Sequence, residues 1–392
     1  MQTLRTALLI AAFLCGGLAA LFTVWIVIPA LSFTLFQVAV GAGEWSLWFG
    51  AAGLLSMGLS LLARSAGSRR GAWIAALSLG VVAAGLSLIP PLDAWRVGRT
   101  NDVELSLGQY LFGSRDDKAA RVERTTETFV TVGGQTLKLD VYLHDKKETA
   151  ETARRAAIVV VHGGSWNAGE RSDYPLWNEW LAREGYAVFD IDYRLAPQPN
   201  WQTATGDVKC AVGWVRSNAA RFAVDPARIA LLGRSAGGHL ALLAAYSTHE
   251  AALAPSCAAP DATVRAVVSL YAPTDLKWGF EHPANRRVLD GTAKIRNFTG
   301  GTPADAPDTI RLASATTHVN AWSPPTLLFH GGRDQLVGER HMTLLADKLS
   351  QHHIPHRALL IPYAQHAFDY NFDGWGSQIT RPLLLKFLRE HL

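Results

Sequence analysis

The sequence predicts an α/β fold, a mostly parallel sheet flanked by helices, preceded by an all-α region of about three long apolar helices. Three observations carry this. The first hundred residues hold three stretches without a charged side chain, 6–43, 46–63 and 72–92. From residue 126 onward, short β-rich runs alternate with segments of helical periodicity, as in a parallel sheet covered on both faces. The charge divides in the same place. Residues 1–100 hold six arginines and two acids, whereas the remainder holds 31 bases and 31 acids.

A membrane-crossing helix needs about 20 mostly apolar residues. Such helices are expected near Ala7–Ile28, Ser46–Ala63 and Ala72–Ile89. Trp25, Trp45, Trp48, Trp73 and Trp95 fall near their ends, where interfacial aromatics gather. The stretch 6–43 is too short for two full spans, so the part after Ile28 is expected to be re-entrant or interfacial. A cleaved signal peptide competes for the first segment. Arg5 and the apolar core fit it, but no good cleavage site precedes Gly43. A soluble bundle also competes, although soluble helices of this length normally carry a polar face. Arg5, Arg64, Arg69 and Arg70 put the N-terminus and loop 64–71 on the cytoplasmic side, while loop 29–45 has no base. Three spans then put everything after Pro91 outside, a placement that Arg96 and Arg99 mildly oppose. The expectation is an integral membrane protein with residues 1–92 as an anchor in the lipid bilayer.

Residues 93–125 read as a polar linker with at most a short helix, and 126–392 as one α/β domain. Thr128–Val132 and Gln135–Leu143 alternate and are joined at Gly133-Gly134, a hairpin signal. Ala156–Val161 is a continuous apolar run, as in a strand buried on both faces. Tyr186–Asp190, Arg228–Leu232, Val264–Leu270, Thr326–His330 and His356–Ile361 are the further strands. Asp207–Ala220, Ala236–Tyr246, Glu339–Gln351 and Gln378–His391 are the helices. The stretch 274–323 is long for a connection and carries Trp278, Phe280, Phe298 and Trp322. It is expected to be a cap-like insertion that covers a site and shapes its pocket, the alternative being a surface excursion.

The composition excludes several classes. With no clustered Lys/Arg surface beyond residue 100, nucleic-acid binding is not expected. No His/Cys pattern has zinc spacing, and His352, His353 and His356 beside Pro355 read as surface histidines. Cys210 and Cys257 are read as two buried thiols, with pairing in an oxidising compartment as the alternative. Asp190 and Asp192 are expected to fix a loop, and Asp207 to sit in the first turn of a helix.

The strongest chemical signal is Gly233-Arg234-Ser235-Ala236-Gly237, which follows a strand and opens a helix. A serine on that tight turn needs small residues two before and two after it, and the helix N-terminus beneath it favours negative charge. The second is His162-Gly163-Gly164-Ser165-Trp166, directly after an apolar strand. Glycines there let backbone amides approach an oxyanion. The expected donors are the amides of Gly164, Ser165 and Ala236, with His162 and Gly163 supporting the loop. A nucleophilic serine needs a base, and the base an orienting acid. His366 and Asp334 each follow a strand, at the end where catalytic loops sit. Asp275 is the rival acid, and His318, His330, His341 and His352 are rival bases.

Residues 126–392 resemble the α/β-hydrolase superfamily, in the esterase/lipase branch related to hormone-sensitive lipase. HGGSW, DIDYRLAP (Asp190–Pro197), VDPARIALLGRSAGGHLA (Val224–Ala241), LLFHGGRDQLV (Leu327–Val337) and QHAFD around His366 are similar to its landmarks, in order. The resemblance implies hydrolysis of a small-molecule or lipid-like ester through an acyl-enzyme, with no metal or organic cofactor. The H-G-G-x-W form departs from HGGG and resembles arylformamidases, feruloyl/acetyl esterases and membrane-bound prenylcysteine methylesterases. The branch's usual N-terminal cap is missing, its place taken by the apolar region. An amidase using the same residues and a non-catalytic binding module on the same fold remain as alternatives. A transport role is disfavoured because the three spans hold no buried ionisable residue.

Overall fold

The computed structural model describes residues 2–114, 122–144, 154–259 and 261–392. The chain opens with helices α1 (Gln2–Thr23), α2 (Phe33–Glu44), α3 (Ser46–Ser65) and α4 (Arg70–Ser87), the last running on into α5 (Ile89–Thr100). Among the described residues, three helical stretches are long and apolar enough to cross a membrane: Gln2–Ile26, Ser46–Ser65 and Arg70–Thr100. Their ends differ from the expected ones because a charge-free window marks a solvent preference, not a helix boundary. Arg5 lies inside α1, and the α-helix stops at Thr23. The segment expected to be re-entrant or interfacial is α2, capped by Ser32, whose Oγ accepts from Leu35 N at 3.3 Å.

Helices α1, α3 and α4 meet through small residues. A Cβ on Gly80 would lie 2.6 Å from Gly53 O, so only glycine lets these two backbones touch. Ser56 Oγ sits between Ala12 O (2.8 Å) and Ala76 O (3.2 Å), reaching both neighbouring helices. The Arg5 guanidinium donates to Gly67 O at 3.2 Å, which puts the N-terminus and loop 64–71 at one end.

Of the stretch read as a linker, the described residues 93–114 and 122–125 hold the end of α5, a further short helix and the start of the first strand. Ala94 of α5, Tyr110 of α6 (Leu107–Phe112) and Val103 between the two helices pack into the core of the sheet domain. Tyr110 stacks on Trp375 with ring centroids 4.4 Å apart, and Gln378 Oε1 accepts from Ser106 N at 2.7 Å. The polar composition concealed this because the partners lie some 270 residues away.

The sheet has the order β1-β2-β4-β3-β5-β6-β7-β8. Strands β1 (Val122–Val132) and β2 (Gln135–His144) form an antiparallel hairpin at one edge, and β2 pairs antiparallel with β4. The remaining pairs are parallel. β3 (Arg155–Val161) leads through α7 (Pro175–Arg183) to β4 (Ala187–Ile191) on one side. The chain then returns through α8 (Trp201–Ser217) to β5 (Val224–Arg234) on the other. The order reverses between β3 and β5, and in open α/β sheets a ligand crevice forms at the carboxyl ends of such a pair. The chain continues through α9 (Ala236–Tyr246), β6 (Ala266–Leu270), the short helices α10 (Leu276–Glu281), α11 (Gly291–Thr299) and α12 (Pro307–Leu312), then β7 (Thr326–Gly331), α13 (Arg340–Gln351), β8 (His356–Ile361) and α14 (Trp375–His391).

Apolar residues on both faces explain the continuous runs. Val159 and Leu231 join one core cluster, and Ile158, Val160 and Leu232 the other. Two expectations are corrected. Cys210 and Cys257 are bonded as a disulfide, Cα atoms 5.5 Å apart, because α8 brings Cys210 under the loop that carries Cys257. Asp207 is not in a first turn, since α8 begins at Trp201. It lies one helical turn and more into the interior and holds the Arg194 guanidinium at 2.6 Å. Asp190 and Asp192 do fix a loop, through Ser172 N, Asn178 Nδ2 and Arg171 Nη1.

Candidate active site

The site begins with the parallel pairing of β3 and β5, which aligns Val161 with Gly233. The loop 162–166 and the turn at Ser235 therefore leave the sheet side by side. Ser235 has φ 54° and ψ −121° and joins β5 directly to α9. A non-glycine residue held in such a sparsely populated region costs of order 1–3 kcal/mol, supplied by the surrounding structure. Here Ser235 N donates to Leu270 O at 2.9 Å, tying the turn to β6. The turn also needs Gly237, because a Cβ there would lie 2.2 Å from both Val161 O and His162 O.

The three residues singled out for chemistry come together. The Ser235 hydroxyl lies 2.9 Å from His366 Nε2, and His366 Nδ1 lies 2.6 Å from Asp334 Oδ2. Asp334 Oδ1 accepts from the amides of Leu336 (2.8 Å) and Val337 (2.9 Å). Burial alone would raise the Asp334 carboxyl. The charge of His366, with hydrogen bonds from His330 and His366, outweighs burial and holds it well below the usual carboxylate range. A serine bonded to an imidazole whose other nitrogen rests on a buried carboxylate has the geometry for deprotonation as it attacks.

The rivals have other roles. Asp275 caps α10, its Oδ1 accepting from Trp278 N at 2.9 Å. His330 donates to Val337 O at 2.9 Å and lies 3.4 Å from Asp334 Oδ2, behind the acid rather than before the serine. His318 meets Leu312 O at 2.7 Å, His341 is buried against the Trp278 ring, and His352 is exposed.

The loop facing Ser235 is held from behind. Gly164, Ser165 and Trp166 all have positive φ, and the amides of Asn167 and Ala168 both turn back to Gly164 O. Ser165 and Ala236 line the same pocket as Ser235. Ala236 is the first residue of α9, so its N–H has no intrahelical acceptor. His162 Nδ1 donates to Gly163 O at 2.7 Å, and the His162 ring stacks on Tyr193 at 4.3 Å. Burial lowers the His162 pKa, favouring the neutral ring.

Two arrangements were not foreseen. Trp166 Nε1 donates to His239 Nδ1 at 3.1 Å, and His239 Nε2 donates to Ala313 O at 2.7 Å, while Trp166 stacks on Phe298 at 4.3 Å. The loop, α9 and the 274–323 insertion are thereby joined; the tryptophan of HGGSW was the only sequence signal. Beneath the turn, Arg234 Nε donates to Asp369 Oδ2 at 2.6 Å, and Tyr271 Oη donates to Asp369 Oδ1 at 2.6 Å. Nothing local in the sequence pairs Arg234 with a residue 135 positions later. The pocket beside Ser235 is also lined by Gly279, Pro283, Ala284, Leu289 and Ile295 of the insertion and by Leu336. Among the described residues no group of His, Cys, Asp or Glu has the arrangement of a metal site.

A family model, BD-FAE, matches residues 139–349, more than half of the chain. The chain belongs to the BD-FAE family. The matched stretch holds the 162–166 loop, Ser235 and Asp334, and His366 lies beyond it. This BD-FAE chain is 29% identical over 250 residues to LipM, a probable carboxylic ester hydrolase of Mycobacterium tuberculosis, covering 60% of this chain and 54% of that one. It is 30% identical over 258 residues to esterase LipC of the same organism, covering 64% and 62%. It spans little more than half of the length of the curated relatives it matches. The structure of Thermogutta terrifontis esterase 2 phosphonylated by sarin is 26% identical, with a TM-score of 0.57 over 70% of this chain and 95% of that one. The fold is that of the α/β-hydrolases.

Proposed function

We propose that the protein is a membrane-anchored serine hydrolase of carboxylic esters, with residues 1–92 as its anchor and the sheet domain on the extracytoplasmic side. The observation that carries the catalytic reading is the unbroken chain of contacts from Ser235 through His366 to Asp334, at 2.9 and 2.6 Å. BD-FAE membership and the esterase relatives support the choice of ester chemistry.

In this mechanism Ser235 Oγ attacks the ester carbonyl while His366 Nε2 takes its proton. Asp334 holds the tautomer and stabilises the imidazolium. The amides of Gly164, Ser165 and Ala236 take the developing oxyanion. His366 returns the proton to the departing alcohol, leaving the acyl group on Ser235. Water repeats the sequence, releasing the acid and restoring the serine.

The membrane reading rests on the three apolar helical stretches. The outside placement rests on the contact between Arg5 and loop 64–71, which puts the arginine-bearing segments together, and on the odd number of spans. The Cys210–Cys257 disulfide supports it, since such bonds persist in oxidising compartments.

Fluorophosphonate labelling of isolated membranes, wild type against Ser235→Ala, tests the reading, with a p-nitrophenyl ester series from acetate to laurate alongside. Labelling and turnover should both vanish in the variant. A folded wild type that fails to label would instead favour a binding module.

A further inference from the structure

Residues 27–36, the joint after the first span together with the first turn of α2, touch the site. Arg333 and Gln335 flank Asp334, and both bond the backbone of this joint. The Arg333 guanidinium donates to Val27 O, and Gln335 Oε1 accepts from Ala30 N at 2.7 Å. Asn285 of the insertion donates to Ala30 O at 2.9 Å. Gln335 Nε2 in turn donates to Gln365 Oε1, beside His366, at 3.2 Å. Below these bonds Ala30 and Phe36 close an apolar cluster with Val288 and Leu336. Leu336 belongs to both sides, since it also lines the pocket at Ser235. On its outer surface the same joint exposes Ile28 (46%), Leu31 (55%) and Phe33 (48%). An apolar edge thus runs from the end of a helix long enough to cross a membrane to the rim of the pocket.

We propose that the substrate is an ester dissolved in the bilayer through an apolar chain, and that residues 27–36 form the edge over which it reaches Ser235. This rests on the membrane-anchored esterase reading. The apolar edge explains why the joint is both bonded to the acid loop and apolar outside. Lipid covers Leu31 and Phe33, and the chain of the substrate slides from lipid past them while its carbonyl enters beside Leu336. Pro283, Ala284 and Leu289 continue the apolar wall inward, as a pocket for a hydrocarbon group requires. A water-soluble ester has no need of this edge.

The test uses the full chain reconstituted into phosphatidylcholine vesicles, wild type against Leu31→Asp/Phe33→Asp. Neither residue lines the pocket. Two substrates share one leaving group: p-nitrophenyl acetate in solution and p-nitrophenyl palmitate carried in the vesicles. Two charges on a lipid-facing edge should lower kcat/KM for the palmitate by about tenfold or more, while the acetate rate stays within about twofold. Equal losses on both substrates, no loss on either, or a wild type that turns over acetate but not vesicle-borne palmitate would each overturn the proposal. Failure of the underlying reading looks different. Then the wild type is released from membranes by carbonate, or neither ester is cleaved and fluorophosphonate does not label Ser235.

Discussion

The helical region and the sheet domain are built from the same apolar residues turned in opposite directions. In the sheet, Ile158, Val159, Leu231 and Leu232 are inside. In the helices, Leu14, Leu18, Leu54, Leu55, Val81 and Val82 are outside, while Gly53, Gly80, Ser56 and Ser60 fill the interior. The sheet gathers large side chains because water expels them. Where lipid replaces water that force disappears, and close backbone approach through small residues takes over. On the membrane-anchored reading proposed above, the two regions face two different solvents.

The largest expected effect is functional and confined to one half. Asp334→Asn should lower kcat by about 10⁴-fold through loss of the correct His366 tautomer, with fluorophosphonate reactivity falling in parallel. Its SDS-titration curve for the helices should not move; a shift there would mean that the halves are not separable. Next comes one truncation made twice. Leu231→Ala, at a fully buried site, should destabilise by about 2–5 kcal/mol. Leu55→Ala, at a site 55% exposed, should stay within about 0.5 kcal/mol in detergent. Denaturation of both variants that gave equal losses would break the inside-out contrast.

The third effect belongs to the sheet alone. Replacing both Cys210 and Cys257 with serine should remove roughly 2–4 kcal/mol, read as a lower urea midpoint of the sheet domain. An unchanged midpoint would mean that the bond adds nothing to this fold. The last is a pH effect. Burial lowers His239 to about 4 and His341 to about 3. An unfolded chain titrates near 6.5. Between these values the unfolded state binds the extra protons, so stability falls as the pH drops from 7 to 5, by about 2 kcal/mol for His239. Melting curves at the two pH values measure the loss, and His239→Gln should shrink it; an equally steep fall in the variant would assign the effect elsewhere.

Much of the sheet was legible because a strand buried on both faces is written as a continuous apolar run. β3 and β8 fall where AAIVVV and HRALLI place them, and α9 occupies Ala236–Tyr246. Ser235, Asp334 and His366 were legible for a related reason: each follows such a run closely enough to be placed at a strand's carboxyl end. What escaped lies in contacts between distant parts of the chain. α7 carries Asn178 and two tryptophans in nine residues, too short and mixed for a clear period. The segment holding α5 and α6 looked solvated until α14 supplied its partners. No local pattern links Arg333 to Val27, 306 positions away.

The residue between Gly233 and Ser235 has no constraint in the G-x-S-x-G pattern itself, yet in this chain it is not free to drift. Asp369 is fully buried, with its oxygens held by Arg234 and Tyr271. Losing Arg234 alone strands a negative charge in the interior, a change of about 3–5 kcal/mol. Losing Asp369 alone strands the cation. Substitution at these two positions has to be concerted, so a lineage can leave this pairing only through a poorly folding intermediate or a double exchange. An apolar pair of matching volume at 234 and 369 should therefore be tolerated where either single replacement is not.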